Sequence, residues 1–382
     1  MISISTLVSG RQFGAHRLRY GRPADRPPGP VVVYNCTSAC NLDCSHCYAQ
    51  GWPAESLSTD QAKAMLGDLA AMGCPVVLFS GGEPLLREDL SELAAHAVGL
   101  GMRAVVSSNG TLITPAQAEA LARAGVSYVG ISLDGMEATH DRLRGRKSAF
   151  RQALAGLEHC RAAGLKVGLR VTLTRQNLSD LPGLLDLARQ RRIPRLCLYH
   201  LVYTGRGGNL READLTAPQR RSMMDLMIAR AAEASADGDE LELLTVDNHA
   251  DGPYLYLQLQ KSDPARAQAA MDLLRISGGN ASGERIGCVR PDGTVLPDQF
   301  WQSQPLGNVR QRPFSSIWTD AANPLLASLR RRPRPLTGRC RCCRFLDICN
   351  GNFRARAEQA TGDIWGDDPA CYLTDEEIAP RG

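Results

Sequence analysis

The decisive stretch reads Val31-Val32-Val33-Tyr34-Asn35-Cys36-Thr37-Ser38-Ala39-Cys40-Asn41-Leu42-Asp43-Cys44-Ser45-His46-Cys47. Its first five residues are a β-branched, apolar run of strand type. The run leads into Cys40, Cys44 and Cys47, a C-x3-C-x2-C spacing. Three thiolates this close can hold three corners of a cubane [4Fe–4S] cluster, since such clusters take Cys ligands. The fourth iron then has no protein ligand nearby in sequence, and an open iron on a reduced cluster can bind a small molecule and pass it an electron. The alternative is a structural zinc site, which usually needs four ligands in paired spacings.

Working outward, strand candidates at 31–35, 75–79, 103–107, 126–133, 166–173 and 195–201 alternate with helical patterns. Ser58-Thr59 can cap a helix carrying Met65, Leu66 and Leu69, and Thr114-Pro115 opens another with proline at its first position. Further helices are expected over 88–98, 148–163, 180–191 and 217–235. This alternation argues for an α/β fold with a parallel sheet and helices outside. Pattern alone leaves barrel, partial barrel and open sheet equally available. Residues 1–30 read as an extended entry arm rich in Arg, Gly and Pro. After about residue 240 the rhythm changes: 252–280 look helical, and Pro291-Asp292-Gly293 has the turn chemistry of a hairpin. The expected units are an arm (1–29), a core (30–240), a helical linker (241–280) and a Cys-rich domain (281–382).

The 382 residues suffice for a large buried core, and the hydrophobic (43%) and charged (22%) contents are ordinary for a globular protein. A formal net charge of +4 is too small to imply nucleic acid as a partner. No apolar run is long enough for a membrane span, and the first ten residues lack a signal-peptide layout. A cytoplasmic location is expected, so the 13 cysteines point to metal or catalytic chemistry rather than disulfides.

Other constellations follow the strands. Gly81-Gly82-Glu83-Pro84 comes after the second strand; its glycines allow close backbone approach, and Glu83 can accept hydrogen bonds from an ammonium group. Ser107-Ser108-Asn109-Gly110 ends the third strand and offers partners to a ribose. Ser132-Leu133-Asp134-Gly135 closes the fourth, with Arg144 downstream. Ligands of parallel α/β folds collect at the carboxyl ends of strands. A second cysteine group, Cys340, Cys343, Cys349 and Cys371, can saturate a cubane cluster or hold zinc, with Cys342 a spare. Cys36, Cys74, Cys160 and Cys197 read as small core residues. Cys288 lies on a hairpin strand. The arginines at 330, 331, 332, 334, 339, 341 and 344 read as a solvated face or a surface for an acidic partner. His200 and His249 read as structural residues or substrate contacts.

The Cys40–Cys44–Cys47 run with Gly81-Gly82-Glu83-Pro84 resembles the signature of radical S-adenosylmethionine (SAM) enzymes. That resemblance implies a partial (β/α)6 TIM-type barrel, a first [4Fe–4S] cluster whose open iron is chelated by SAM, and a 5′-deoxyadenosyl radical. It implies SAM contacts at Gly81, Gly82, Glu83, Ser108, Asn109, Ser132, Asp134 and Arg144, with Arg144 on the carboxylate. The tail resembles a SPASM/twitch region. Full SPASM domains hold two auxiliary clusters, but two of the required cysteines are replaced by Asn280 and Asp298, so one auxiliary [4Fe–4S] cluster is expected. Segments such as Tyr199-His200-Leu201-Val202-Tyr203-Thr204-Gly205-Arg206-Gly207 and Gly278-Gly279-Asn280-Ala281-Ser282-Gly283 resemble the radical SAM enzymes that modify tetrapyrroles, most specifically those of heme d1 biosynthesis. The resemblance implies removal of two propionates from didecarboxysiroheme, with an external electron donor such as flavodoxin or ferredoxin. The rivals are a tetrapyrrole decarboxylase or deacetylase of the alternative heme pathway and a SPASM-type peptide maturase. Residues 1–30 leave no room for the winged-helix domain that the latter often carry.

Overall fold

The computed structural model describes residues 1–25 and 27–380. The strands are β1 (Ile2–Ser3), β2 (Val31–Asn35), β3 (Val76–Ser80), β4 (Arg103–Ser108), β5 (Tyr128–Ser132), β6 (Val167–Leu173), β7 (Arg195–His200), β8 (Glu242–Val246), β9 (Ile286–Val289), β10 (Thr294–Leu296) and β11 (Gly307–Asn308). They form one sheet in the order β1-β8-β7-β6-β5-β4-β3-β2-β9-β10-β11. Strands β2 to β8 are parallel neighbours in chain order. The sheet has two edges, so it is a partial barrel. Five strand spacings separate β3 from β8, roughly 24 Å on a flat sheet. Yet Ser80 and Asp247, at the ends of those strands, line one cavity, which requires the sheet to curl.

The outer face carries the helices, and their ends follow local chemistry. Ser58 with Gln61 and Thr114 with Gln117 form capping boxes. Leu66, Leu69, Leu93, Leu121 and Leu157 from these helices share one core with Val77, Phe79 and Val106 of the strands. Small apolar clusters lie on the other face, Cys197 with Tyr199, Leu244 and Val246, and Val33 with Cys288 and Leu296.

The structure corrects three expectations. Residues 1–30 are not an extended arm: β1 pairs with β8, helix Ile4–Ser9 follows, and Ile2, Ile4 and Leu7 are buried. The stretch after 240 begins with a strand, β8, not a linker, and the helical region breaks at Asp263-Pro264 into Asp251–Ser262 and Pro264–Ser277. Proline lacks the N–H a continuous helix would need there. Finally, β9 of the predicted hairpin runs parallel to β2, with Val33 opposite Cys288, so the sheet continues across residue 280. The expected units are laced through one sheet.

Candidate functional site

The cysteine loop after β2 is held by backbone from three sides. Gly82 N–H donates to Thr37 O and Glu83 N–H to Ala39 O, both at 2.8 Å. Side chains have no room here: a Cβ on Gly81 would lie 2.3 Å from Thr37 O, and one on Gly82 would lie 2.2 Å from Ala39 O. On the second side, Ser45 N–H donates to Leu143 O at 2.9 Å, and on the third Arg206 N–H donates to Cys47 O at 2.9 Å. The glycine pair therefore positions the cysteines first. Cys40 is exposed, Cys44 buried and Cys47 half-buried. Arg144 Nη1 donates to Cys44 Sγ at 3.5 Å, and Leu42 N–H to Cys40 Sγ at 3.4 Å.

All three cysteines line a cavity, open to solvent, at the carboxyl ends of the strands. Gly81, Gly82, Ser108, Asn109, Ser132 and Arg144 line it as well, as the sequence led us to expect. Glu83 and Asp134 do not. Glu83 is fully buried and accepts from Ser108 Oγ and Asn109 N–H, each at 2.8 Å. Burial pushes its carboxyl up to about 7. Its place is beneath the Ser108-Asn109 turn, which it holds toward the cavity.

Asp134, also fully buried, pairs through Oδ2 with Arg144, and with His46 Nε2 at 3.2 Å. Its Oδ1 accepts Thr172 N–H at 2.7 Å. Burial alone would raise its pKa, but Arg144 and His46 hold the carboxyl well below the usual range. Arg144 is not a loop residue: it ends helix Glu137–Arg144 and is buried, aimed by Asp134. Its Nε is sealed without a hydrogen-bond partner. The neighbouring His140 accepts Asp134 N–H through Nδ1 at 3.0 Å and is held neutral, lowered to about 4 by burial and by Arg144.

Sequence reasoning missed several wall residues: His46, Arg170, Thr172, Tyr199, Asp247 and Phe300. Phe300 follows the hairpin and packs edge-on against Tyr48, centroids 4.9 Å apart. Thr204 Oγ1 donates to Phe300 O at 2.8 Å, so the segment after β10 meets the loop after β7. Asp247 has φ +65°, uncommon outside glycine. Burial pushes its carboxyl up to about 7. His200 lines the cavity, with Nε2 2.9 Å from Asp251, which also accepts from Tyr372 Oη at 2.7 Å. His249 is buried away from it and kept neutral by burial.

None of Cys340, Cys343, Cys349 and Cys371 lines the cavity. The Cys349 thiol is pushed well up by burial and then by its neighbours Cys371, Cys340 and Cys343. Cys342 is exposed, and Cys36, Cys74, Cys160 and Cys197 are buried. Asn280 and Asp298 sit instead in a network around Arg334. Arg334 Nη1 donates to Asn280 Oδ1 at 2.8 Å and Nη2 to Ser282 O at 3.3 Å, while Ser282 Oγ donates to Asp298. Arg334 is thus no part of a solvated face; it is buried, and burial lowers its pKa to about 9. Among the described residues no three His, Cys, Asp or Glu side chains converge as a single metal ion would require. The donor sets fit iron–sulfur clusters: three thiols on an open cavity, with an unpartnered Arg144 Nε beside them, and four thiols away from it.

The profile of the Radical SAM superfamily matches residues 34–188. The chain is 51% identical to the Fe-coproporphyrin III synthase of Methanosarcina barkeri (strain Fusaro), over 99% of each chain. It is 46% identical to the pre-heme d1 synthase of Dinoroseobacter shibae, covering 93% of this chain and 89% of the relative. Streptococcus suis SuiB bound to its precursor peptide SuiA shares the fold, with a TM-score of 0.73 at 17% identity, over 91% of this chain and 76% of SuiB. The chain belongs to the radical SAM superfamily, enzymes built on a [4Fe–4S] cluster and S-adenosylmethionine.

Proposed function

We propose that the protein removes carboxylated side chains from an iron tetrapyrrole of the didecarboxysiroheme kind, with loss of two propionates toward a heme d1 precursor as the first reading. The observation that carries it is the composition of one cavity. Three cysteines stand at one end, the aromatic rings of Tyr48, Tyr199 and Phe300 on its walls, and a guanidinium, Arg170, among them. Such a wall suits a flat, apolar ring that carries carboxylates. The resemblance to the pre-heme d1 synthase supports this reading. When bound, SAM on the reduced cluster supplies a 5′-deoxyadenosyl radical that takes hydrogen from unactivated carbon.

The protein's own residues prepare that chemistry. Cys40, Cys44 and Cys47 would hold the first cluster; Gly81, Gly82, Ser108, Asn109, Ser132 and Arg144 would receive SAM, with Asp134 and Glu83 holding the receivers in place. Phe300 and Tyr48 pack on each other and give the cavity an apolar wall. Cys340, Cys343, Cys349 and Cys371 would hold the auxiliary cluster, off the cavity, where it suits an electron acceptor better than a substrate ligand. Exposed Cys40 gives an external donor such as flavodoxin or ferredoxin a short approach. A second reading, acetate loss to give Fe-coproporphyrin III, is favoured by the higher identity and end-to-end match to the synthase of that name. Anaerobic turnover with didecarboxysiroheme, read by mass spectrometry, decides between them. Propionate and acetate losses differ by one methylene per ring position, and an unchanged tetrapyrrole mass rejects both.

A further inference from the structure

Arg170 is a charged residue in an otherwise apolar strand, Val167–Leu173. Its guanidinium points into the partial barrel and lines the cavity. The fold makes room for it: Gly130 of β5 lies alongside, and a Cβ there would come within 2.6 Å of Arg170 Nε. It is also aimed. Nη1 donates to Ser107 Oγ at 2.6 Å, and the guanidinium carbon stands 5.4 Å from the centre of the Tyr199 ring. Yet among the described residues no carboxylate forms an ion pair with it: Asp247 on the same cavity feels its charge only at longer range, and its Nε is sealed without a partner. The other arginine that lines the cavity, Arg144, has Asp134 as its answer. A planar fork fixed by a hydroxyl and a ring, with donor capacity left over, is built to meet a carboxylate.

We propose that Arg170 anchors one side-chain carboxylate of the tetrapyrrole and so fixes which ring edge faces the cysteines. This rests on the tetrapyrrole reading and adds to it a positioning residue. The anchored group is a side chain that the reaction keeps, because a carboxylate held at Arg170 ties the ring to the wall while another edge turns toward Cys40, Cys44 and Cys47.

The test is a visible-absorption titration of the reconstituted holoenzyme with didecarboxysiroheme and, in parallel, with its methyl ester. Wild type, R170Q and R170K are compared, and SAM affinity is measured for each. R170Q is expected to bind the free acid roughly tenfold more weakly or worse, as befits loss of a charge-assisted pair. Ester and SAM binding should be unchanged. R170K keeps the charge but not the fork, so its loss should be smaller and still confined to the free acid; it carries the comparison alone if R170Q does not fold. Equal weakening of acid and ester makes Arg170 a structural residue and overturns the inference. Loss of SAM affinity with tetrapyrrole binding intact assigns the carboxylate to SAM and overturns it too. Wild type that binds neither tetrapyrrole rejects the tetrapyrrole reading itself, whereas wild-type binding with an unaffected R170Q rejects the anchor alone.

Discussion

The two cysteine groups of this chain are built differently. The Cys40–Cys44–Cys47 loop has no regular structure of its own and is gripped by backbone from the turns at 81–83, 143–145 and 205–206. It supplies three thiols, all on the cavity. The tail supplies four, none on the cavity, from short helical turns and loops between 338 and 371. Three thiols facing a space leave an iron for a ligand, and four thiols set apart leave none. On the proposed reading, position and ligand count together separate a cluster that would bind SAM from one that would pass electrons.

The hardest way to break the comparison is Cys44→Ala. It should remove one cubane's worth of iron and reduce 5′-deoxyadenosine formation to background, measured by iron assay and chromatography. Cys349→Ala should also remove one cluster's iron but leave SAM cleavage measurable while tetrapyrrole product is lost. If both variants abolish cleavage equally, the division of labour is wrong. The network around Arg334 sharpens the count of clusters. Arg334→Met should lower stability by about 2–4 kcal/mol, because buried Asn280 Oδ1 and the carbonyls of Ser282 and Asn350 lose their donor, and should leave iron per chain unchanged. A fall in iron would mean that this region holds a cluster after all.

The smallest effect concerns Asp247. Its folded pKa of about 7 lies above the ordinary 3.8, so the folded chain binds the extra proton between those values. Stability contributed by this group is therefore full below the lower value and declines as pH rises through 7. Asp247→Asn removes that decline. Relative to wild type it should gain a few kcal/mol at most at pH 8, less than half of that at pH 5 and almost none at pH 3.5, read by thermal unfolding. Asparagine also tolerates the positive φ at this position. An equal change at all three pH values would show that Asp247 is ionised in the folded protein.

Much of this was legible beforehand because local chemistry carried it. Strands β2 to β7 follow apolar runs, and Ser58, Thr114 and their glutamine partners announce helix starts. The three cysteines that line the cavity were legible from their spacing, which is the spacing a cluster demands. What escaped was nonlocal. β8 follows a polar stretch, and nothing in 286–289 says that it will pair with β2, more than 250 residues earlier. Ile2 and Ile4 looked like a free arm because their partner, β8, is far along the chain. At the site, Glu83 and Asp134 were expected beside a ligand, and they lie buried beneath residues that line the cavity. Which side chain faces a cavity depends on packing that the sequence does not display. Arg170 did leave a signal, one charge inside an apolar strand.

The most direct test is anaerobic turnover of the reconstituted protein with SAM, a strong reductant and didecarboxysiroheme, followed by mass spectrometry. Loss of side-chain mass from the tetrapyrrole together with 5′-deoxyadenosine is the predicted result. Formation of 5′-deoxyadenosine with an unchanged tetrapyrrole would contradict the proposed substrate while leaving the radical SAM assignment in place.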